Sequence, residues 1–232
     1  MIEALSPAKL NLFLHVTGQR DNGYHELQTA FQLLDWGDRM RFEITDTPGI
    51  TVDPPVAGVS NEDNLIFRAA TALGLPDHRG VAISIEKVIP MGGGLGGGSS
   101  NAAVTLLALN DLFDLGYSVD ELALKGAALG ADVPVFVRGT SAWAEGIGDE
   151  LRPLELPTRW FVIIYPDCHV STQEIFGAPE LTRNTLPITV SAFFEGPVRN
   201  DLQPVVESRY EQVSTAIKWL SDHGSAMMTG SG

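Results

Sequence analysis

Residues 90–103, PMGGGLGGGSSNAA, constrain the fold more than any other part of this 232-residue chain. Gly92, Gly93, Gly94, Gly96, Gly97 and Gly98 surround Leu95. Such a run lets the backbone take positive φ, so that successive N–H groups converge, and it leaves no Cβ in the path of an approaching oxygen. Before it, residues 81–88 alternate as a strand that Pro90 ends. After it, Ala102, Ala103, Leu106, Leu107, Leu109 and Phe113 recur at helical spacing, with Ser99, Ser100 or Asn101 positioned to cap a helix of about four turns. Strand, glycine loop and helix together read as a phosphate site. The loop supplies N–H groups, the helix its positive end, and Ser99 and Ser100 their hydroxyls. The candidate phosphate contacts run from Pro90 and Met91 through Ser100.

Two familiar relatives of such a loop fit poorly. Gly92, Gly94 and Gly97 match G-x-G-x-x-G, but the acids at the expected distance, Asp111 and Asp114, lie on or at the end of the helix and not after a second strand. No Gly-Lys-Ser/Thr closes the run, which excludes the P-loop form. The loop has no lysine of its own, so a cation must come from elsewhere.

The charge balance narrows the ligands. With a net charge of −14, nucleic acid and anionic membrane surfaces meet a repulsive field, whereas a single nucleotide can still be held by local N–H donors. At 44% hydrophobic the chain can bury a substantial core. The one cysteine, Cys168, fits a reducing, cytoplasmic setting. The histidines at 15, 25, 78, 169 and 223 show no zinc-binding spacing, so no structural metal is expected. The amino terminus reads as neither a signal peptide nor a membrane span.

Along the chain, residues 9–16 alternate as a half-buried strand, Asp21, Asn22 and Gly23 mark a turn, and residues 29–34 and 39–44 read as two further strands. A short helix follows near residues 64–73. Ser118 and Glu121 form a capping-box signature for a helix ended by Gly130, which leaves Asp132 just beyond its end. Residues 135–137 and 140–145 read as a hairpin, 160–165 as an apolar strand and 204–220 as one helix. The prolines at 153 and 157 suggest a boundary between domains 1–153 and 154–232.

With these residues in view, the chain resembles the GHMP kinase superfamily, whose phosphate motif the glycine run extends. SPAKLNLFL at 6–14, DNGYHEL at 21–27 and LGADVPVF at 129–136 fall in the expected order. The resemblance implies an α+β, two-domain fold with its active site in the inter-domain cleft. It also implies transfer of a phosphoryl group from ATP, with Mg²⁺, to the 2-hydroxyl of a cytidine diphosphate-linked methylerythritol in isoprenoid precursor synthesis. Lys9 and Asp132 match the catalytic pair, Asn64 in DNLIF matches an adenine contact, and Asn11, Tyr24, His25, Thr172 and Phe176 match the substrate site. No protein ligand for the Mg²⁺ is implied. MMTGSG at 227–232 resembles the opening of a further glycine motif, so the second domain is expected to be incomplete. Two other readings stay open: a related kinase acting on mevalonate, homoserine or a sugar, and a non-catalytic nucleotide or sugar sensor. The partner expected is a small molecule, and the sequence sets no oligomeric state.

Overall fold

The computed structural model describes residues 1–55, 59–76 and 78–232. Its elements are β1 (Ile2–Gln19), β2 (His25–Thr45), β3 (Gly49–Asp53), α1 (Leu65–Ala72), β4 (Gly80–Glu86), α2 (Gly97–Leu112), α3 (Val119–Ala127) and α4 (Val133–Arg138). Then come β5 (Ala142–Glu145), β6 (Glu150–Pro153), α5 (Thr172–Phe176), α6 (Val190–Glu195), α7 (Gln203–Arg209) and α8 (Glu211–Ser221). The architecture is α+β. The chain forms two compact units, Met1–Lys9, Leu33–Met91 and Gly96–Thr140 in one, and Leu10–Gln32, Gly92–Leu95 and Ser141–Gly232 in the other. β1, β2 and the glycine run each contribute residues to both.

In the first unit the later part of β2 pairs antiparallel with β4, Phe42 opposite Ile83, and β3 runs parallel along the far side of β4. Val81, Ile83 and Ile85 alternate into the core with Met40 and Phe42. Helix α2 is buried on most sides, through Ala102, Ala103, Leu106 and Leu109, rather than along one stripe. The predicted break between strands at 29–34 and 39–44 does not occur. Gly37 lets β2 continue past β1, since a Cβ there would lie 2.0 Å from the Ser6 carbonyl oxygen.

In the second unit β5 pairs with residues 29–31 of β2 and with β6. Leu14, Val16, Val170, Ile175, Leu202, Val206 and Met228 form one core, and Phe13, Ala30 and Trp143 another.

Local patterns decided several elements as expected. Asn64 caps α1 by accepting from Ile66 N–H at 3.0 Å, and Ser118 with Glu121 closes a capping box on α3. Other expectations need correction. Residues 135–137 belong to helix α4 and not to a hairpin, because Pro134 suits a first helical turn and Gly139, at φ 66°, ends it. Residues 160–165 join no sheet and lie exposed, Trp160 by 97%, so apolar character alone did not make a strand. Tyr210 is extended and divides the predicted 204–220 helix into α7 and α8. Strand β1 is buried on both faces, with Lys9, Asn11 and His15 among the buried polar residues.

Candidate active site

Lys9 sits on β1 and is 3% exposed, and its ammonium lies 3.4 Å from Asp132 Oδ2. Asp132 immediately precedes α4, and its carboxylate faces Lys9 instead of capping the helix. The lysine stem also runs against the start of α2. A Cβ on Gly96 would come within 3.2 Å of Lys9 Cε and 2.9 Å of Phe136 Cζ. Gly96, at φ 72°, is the N-cap residue, so α2 begins at Gly97 and its first turn is Gly97, Gly98, Ser99 and Ser100. The serines lie inside the helix and do not cap it. That places the first N–H groups of α2 on Gly97 and Gly98, residues without bulk at the positive end of a 16-residue helix, while the Ser100 N–H donates to the Gly96 carbonyl at 2.8 Å.

Within this first turn the side chains divide. Ser99 is partly exposed beside Gly130, whereas Ser100 is fully buried and accepts a hydrogen bond from Ser6 Oγ at 2.8 Å. Ser100 is therefore turned into the core and Ser99 is the hydroxyl near the surface. Asn64 spends its side-chain oxygen on the α1 cap. Pro90 is partly exposed and Met91 is 54% exposed at the head of the loop.

Sequence reasoning missed a second cation here. Lys87 Nζ bonds Asp38 Oδ2 at 2.5 Å and Asn101 Oδ1 at 3.1 Å, and a Cβ on Gly97 would meet it at 3.3 Å. Asp38 is fully buried and also accepts from the backbone N–H groups of Val88 and Ile89 and from Asn101 Nδ2. Four donors on one buried carboxylate tie the end of β4 to α2 and fix the entry to the glycine run. The lysine three residues before Pro90 was the available signal.

The second unit gathers another set of predicted residues. His25 packs on Phe176 with ring centroids 5.0 Å apart and an interplanar angle of 36°. Arg183, unremarked in the sequence, donates from Nε to His25 Nε2 at 3.0 Å and from its terminal nitrogens to the carbonyls of Phe176, Ala178 and Leu181. The His25 pKa is held below that of a free imidazole, chiefly by burial and then by the Arg183 charge. Tyr24 is 62% exposed in the preceding turn, and Phe176 stacks on His25 and not on it.

The carboxy-terminal residues approach the same unit's part of the loop. Gly94 (φ 68°) has room only for hydrogen, since a Cβ would lie 2.3 Å from the Thr229 carbonyl oxygen. Thr229 Oγ1 accepts from the Asn11 backbone N–H at 2.8 Å, and Asn11 Nδ2 donates to Thr29 Oγ1 at 3.0 Å. Thr172 and Ser231 share a 2.6 Å hydroxyl contact. Gly92 lies against His169, whose Nδ1 would be 3.1 Å from an added Cβ. Asn11, Thr172 and the glycines are thus linked through residues 229–231, a connection with no sequence signature.

Among the described residues no cluster of three or more His, Cys, Asp or Glu side chains could hold a metal ion. No helix among them is long and apolar enough to cross a membrane.

Comparison with known proteins gives a consistent result. Residues 64–140 match the GHMP kinases N terminal domain. The chain is 53% identical over 234 residues to a 4-diphosphocytidyl-2-C-methyl-D-erythritol kinase of Marinobacter nauticus, the match covering 98% of this chain and 82% of the relative. It is 52% identical to one from an Azoarcus species, with 98% and 81% covered. A crystal structure of 4-(cytidine 5'-diphospho)-2C-methyl-D-erythritol kinase superposes with a TM-score of 0.82 at 34% identity, covering all of this chain and 87% of that one.

Proposed function

The chain belongs to the 4-diphosphocytidyl-2-C-methyl-D-erythritol kinases of the GHMP kinase family, and from that premise we propose how its residues carry the reaction. The protein transfers the γ-phosphoryl group of ATP to the 2-hydroxyl of 4-diphosphocytidyl-2-C-methyl-D-erythritol, a step of isoprenoid precursor synthesis. The relatives' names favour this acceptor over mevalonate or homoserine.

The observation that carries the residue-level reading is the contact of Lys9 with both Asp132 and Gly96. A general base needs to accept the hydroxyl proton, and charge developing on the transferred group needs a nearby cation and N–H donors. Asp132 supplies the first. Lys9 and the first turn of α2 supply the second. The substrate oxygen attacks phosphorus in line, the bond to the β-phosphate oxygen breaks, and the proton passes to the Asp132 carboxylate while ADP leaves.

The glycine run suits a phosphate chain, because Gly92, Gly94 and Gly96 take positive φ and put no Cβ in the path of an approaching oxygen. Ser99 is the hydroxyl assigned to the phosphates. Lys87 beside Gly97 adds a second positive charge at the same helix start. Mg²⁺ bound to the phosphates would neutralise charge on them. Phosphate oxygens and water would supply most of its ligands.

His25 and Phe176 support binding of the cytosine ring, with Tyr24 as the opposing aromatic face. Asn11 and Thr172 are assigned to the remainder of the substrate. The lone cysteine supports a reducing, cytoplasmic setting for this reaction.

A coupled assay of ADP release tests this reading, with 4-diphosphocytidyl-2-C-methyl-D-erythritol, mevalonate and homoserine offered separately. Turnover is expected on the cytidyl compound alone. Turnover on mevalonate or homoserine with none on the cytidyl compound would sink it.

A further inference from the structure

Arg183 has an unusually complete set of partners. Its Nη1 donates to the Leu181 carbonyl at 3.1 Å, and its Nη2 to the carbonyls of Phe176 and Ala178 at 2.8 and 2.7 Å. These three carbonyls, from the end of α5 and the segment after it, hold the guanidinium from its terminal nitrogens. Its Nε then points at His25 Nε2, 3.0 Å away.

An arginine side chain has donors only. The His25 nitrogen that meets it must therefore be an acceptor, with its lone pair directed at Arg183. An imidazole with Nε2 unprotonated carries its proton on Nδ1. The same ring is held against Phe176, the residue whose carbonyl also accepts from Arg183. One guanidinium thus holds the Phe176 backbone and faces the His25 ring, whose tautomer it sets.

We propose that Arg183 is a specificity-determining positioning residue: by occupying Nε2 it locks His25 as a neutral Nδ1–H donor, which selects a cytosine ring over a uracil ring. The proposal rests on the reading that His25 and Phe176 hold the base. Cytosine presents an unprotonated, accepting N3 on its Watson–Crick edge, whereas uracil carries N3–H at that place. A fixed donor bonds the first and opposes the second. Without Arg183 the ring is free to take the other tautomer and to rotate, and the donor is no longer fixed.

The charged groups around this ring act in one direction. Burial and Arg183 both disfavour the imidazolium, which cannot accept the Arg183 bond. The neutral form therefore persists below the ordinary imidazole range.

Two measurements test the proposal. In the full chain without substrate, nitrogen NMR of labelled histidine, assigned with His25→Gln, should show His25 at neutral pH as the Nδ1–H tautomer. An Nε2–H tautomer or an imidazolium would overturn it, and this readout needs neither a variant of Arg183 nor turnover. In kinetics, Arg183→Met should raise KM for the cytidyl substrate by about tenfold, the scale of one lost charge-assisted hydrogen bond. KM for ATP and kcat at saturation should stay close to the parent, and the preference over the uridyl analogue should fall by a similar factor. Arg183→Lys, which keeps one donor but not the fork, should recover only part of the preference. An unchanged preference in Arg183→Met would overturn the proposal, and so would equal losses in kcat and both KM values, the mark of a merely structural role. Absence of turnover by the parent on the cytidyl substrate would instead sink the functional reading, and the NMR result would still decide the tautomer.

Discussion

The residues around Lys9 and those around His25 are built by different means. Lys9, Asp132 and the start of α2 form a charged group, with a buried ammonium beside a carboxylate and the positive end of a helix. His25, Phe176 and Arg183 form a group in which the only full charge is spent on carbonyls and a ring nitrogen. The first arrangement suits charge that grows during a reaction. The second suits recognition of a ring that does not change. Substitutions in the first should therefore act on kcat and substitutions in the second on KM.

That division can be broken at its strongest point. Lys9→Ala removes the cation at the start of α2 and should lower kcat by roughly 10²-fold or more, the scale of electrostatic stabilisation of a transition state. KM for the cytidyl substrate should move far less. Phe176→Ala should do the reverse, raising that KM by about ten- to a hundredfold, the range of one lost stack on a base. Steady-state kinetics on both variants would blur the comparison if each changed the same parameter.

The glycines sharpen it at the level of stability. Gly94→Ala meets both positive φ and the Thr229 carbonyl and should cost more than about 1 kcal/mol. Gly23→Ala, also at positive φ but with nothing within 4 Å, should cost less. Urea unfolding of the two variants beside the parent measures the difference.

The smallest effect expected is a pH dependence confined to the second unit. His15 and His25 both have pKa values lowered from 6.5, burial being the largest cause in each. At His15 the Asp201 carboxylate opposes that shift and Arg199 adds to it. At His25 Arg183 adds to it. The unfolded chain takes up these protons first, so stability should be full above about pH 6.5 and decline as pH falls toward the depressed folded values. Urea midpoints at about pH 7.5 and about pH 5.5 should show the loss, and His15→Gln should reduce it.

The two regions also differ in how far the sequence reveals them. The glycine loop is legible because its requirements are local: positive φ, no Cβ, and a helix immediately after. Even so, the serines read as caps proved to lie inside α2, since Gly96 itself takes the cap position. The pairing of Lys9 with Asp132 has no local signature and entered only through resemblance. Arg183 was invisible because its partners are mainly backbone carbonyls, which any sequence provides. Residues 160–165 erred the other way, since a strand needs a neighbour as well as apolar side chains.

The division of labour is tested most directly by Asp132→Asn, which keeps size and polarity but removes the proton acceptor. In the coupled ADP assay kcat should fall by roughly 10²-fold or more while KM for 4-diphosphocytidyl-2-C-methyl-D-erythritol stays within a few-fold of the parent. An unchanged kcat, or a loss expressed mainly in that KM, would contradict the account.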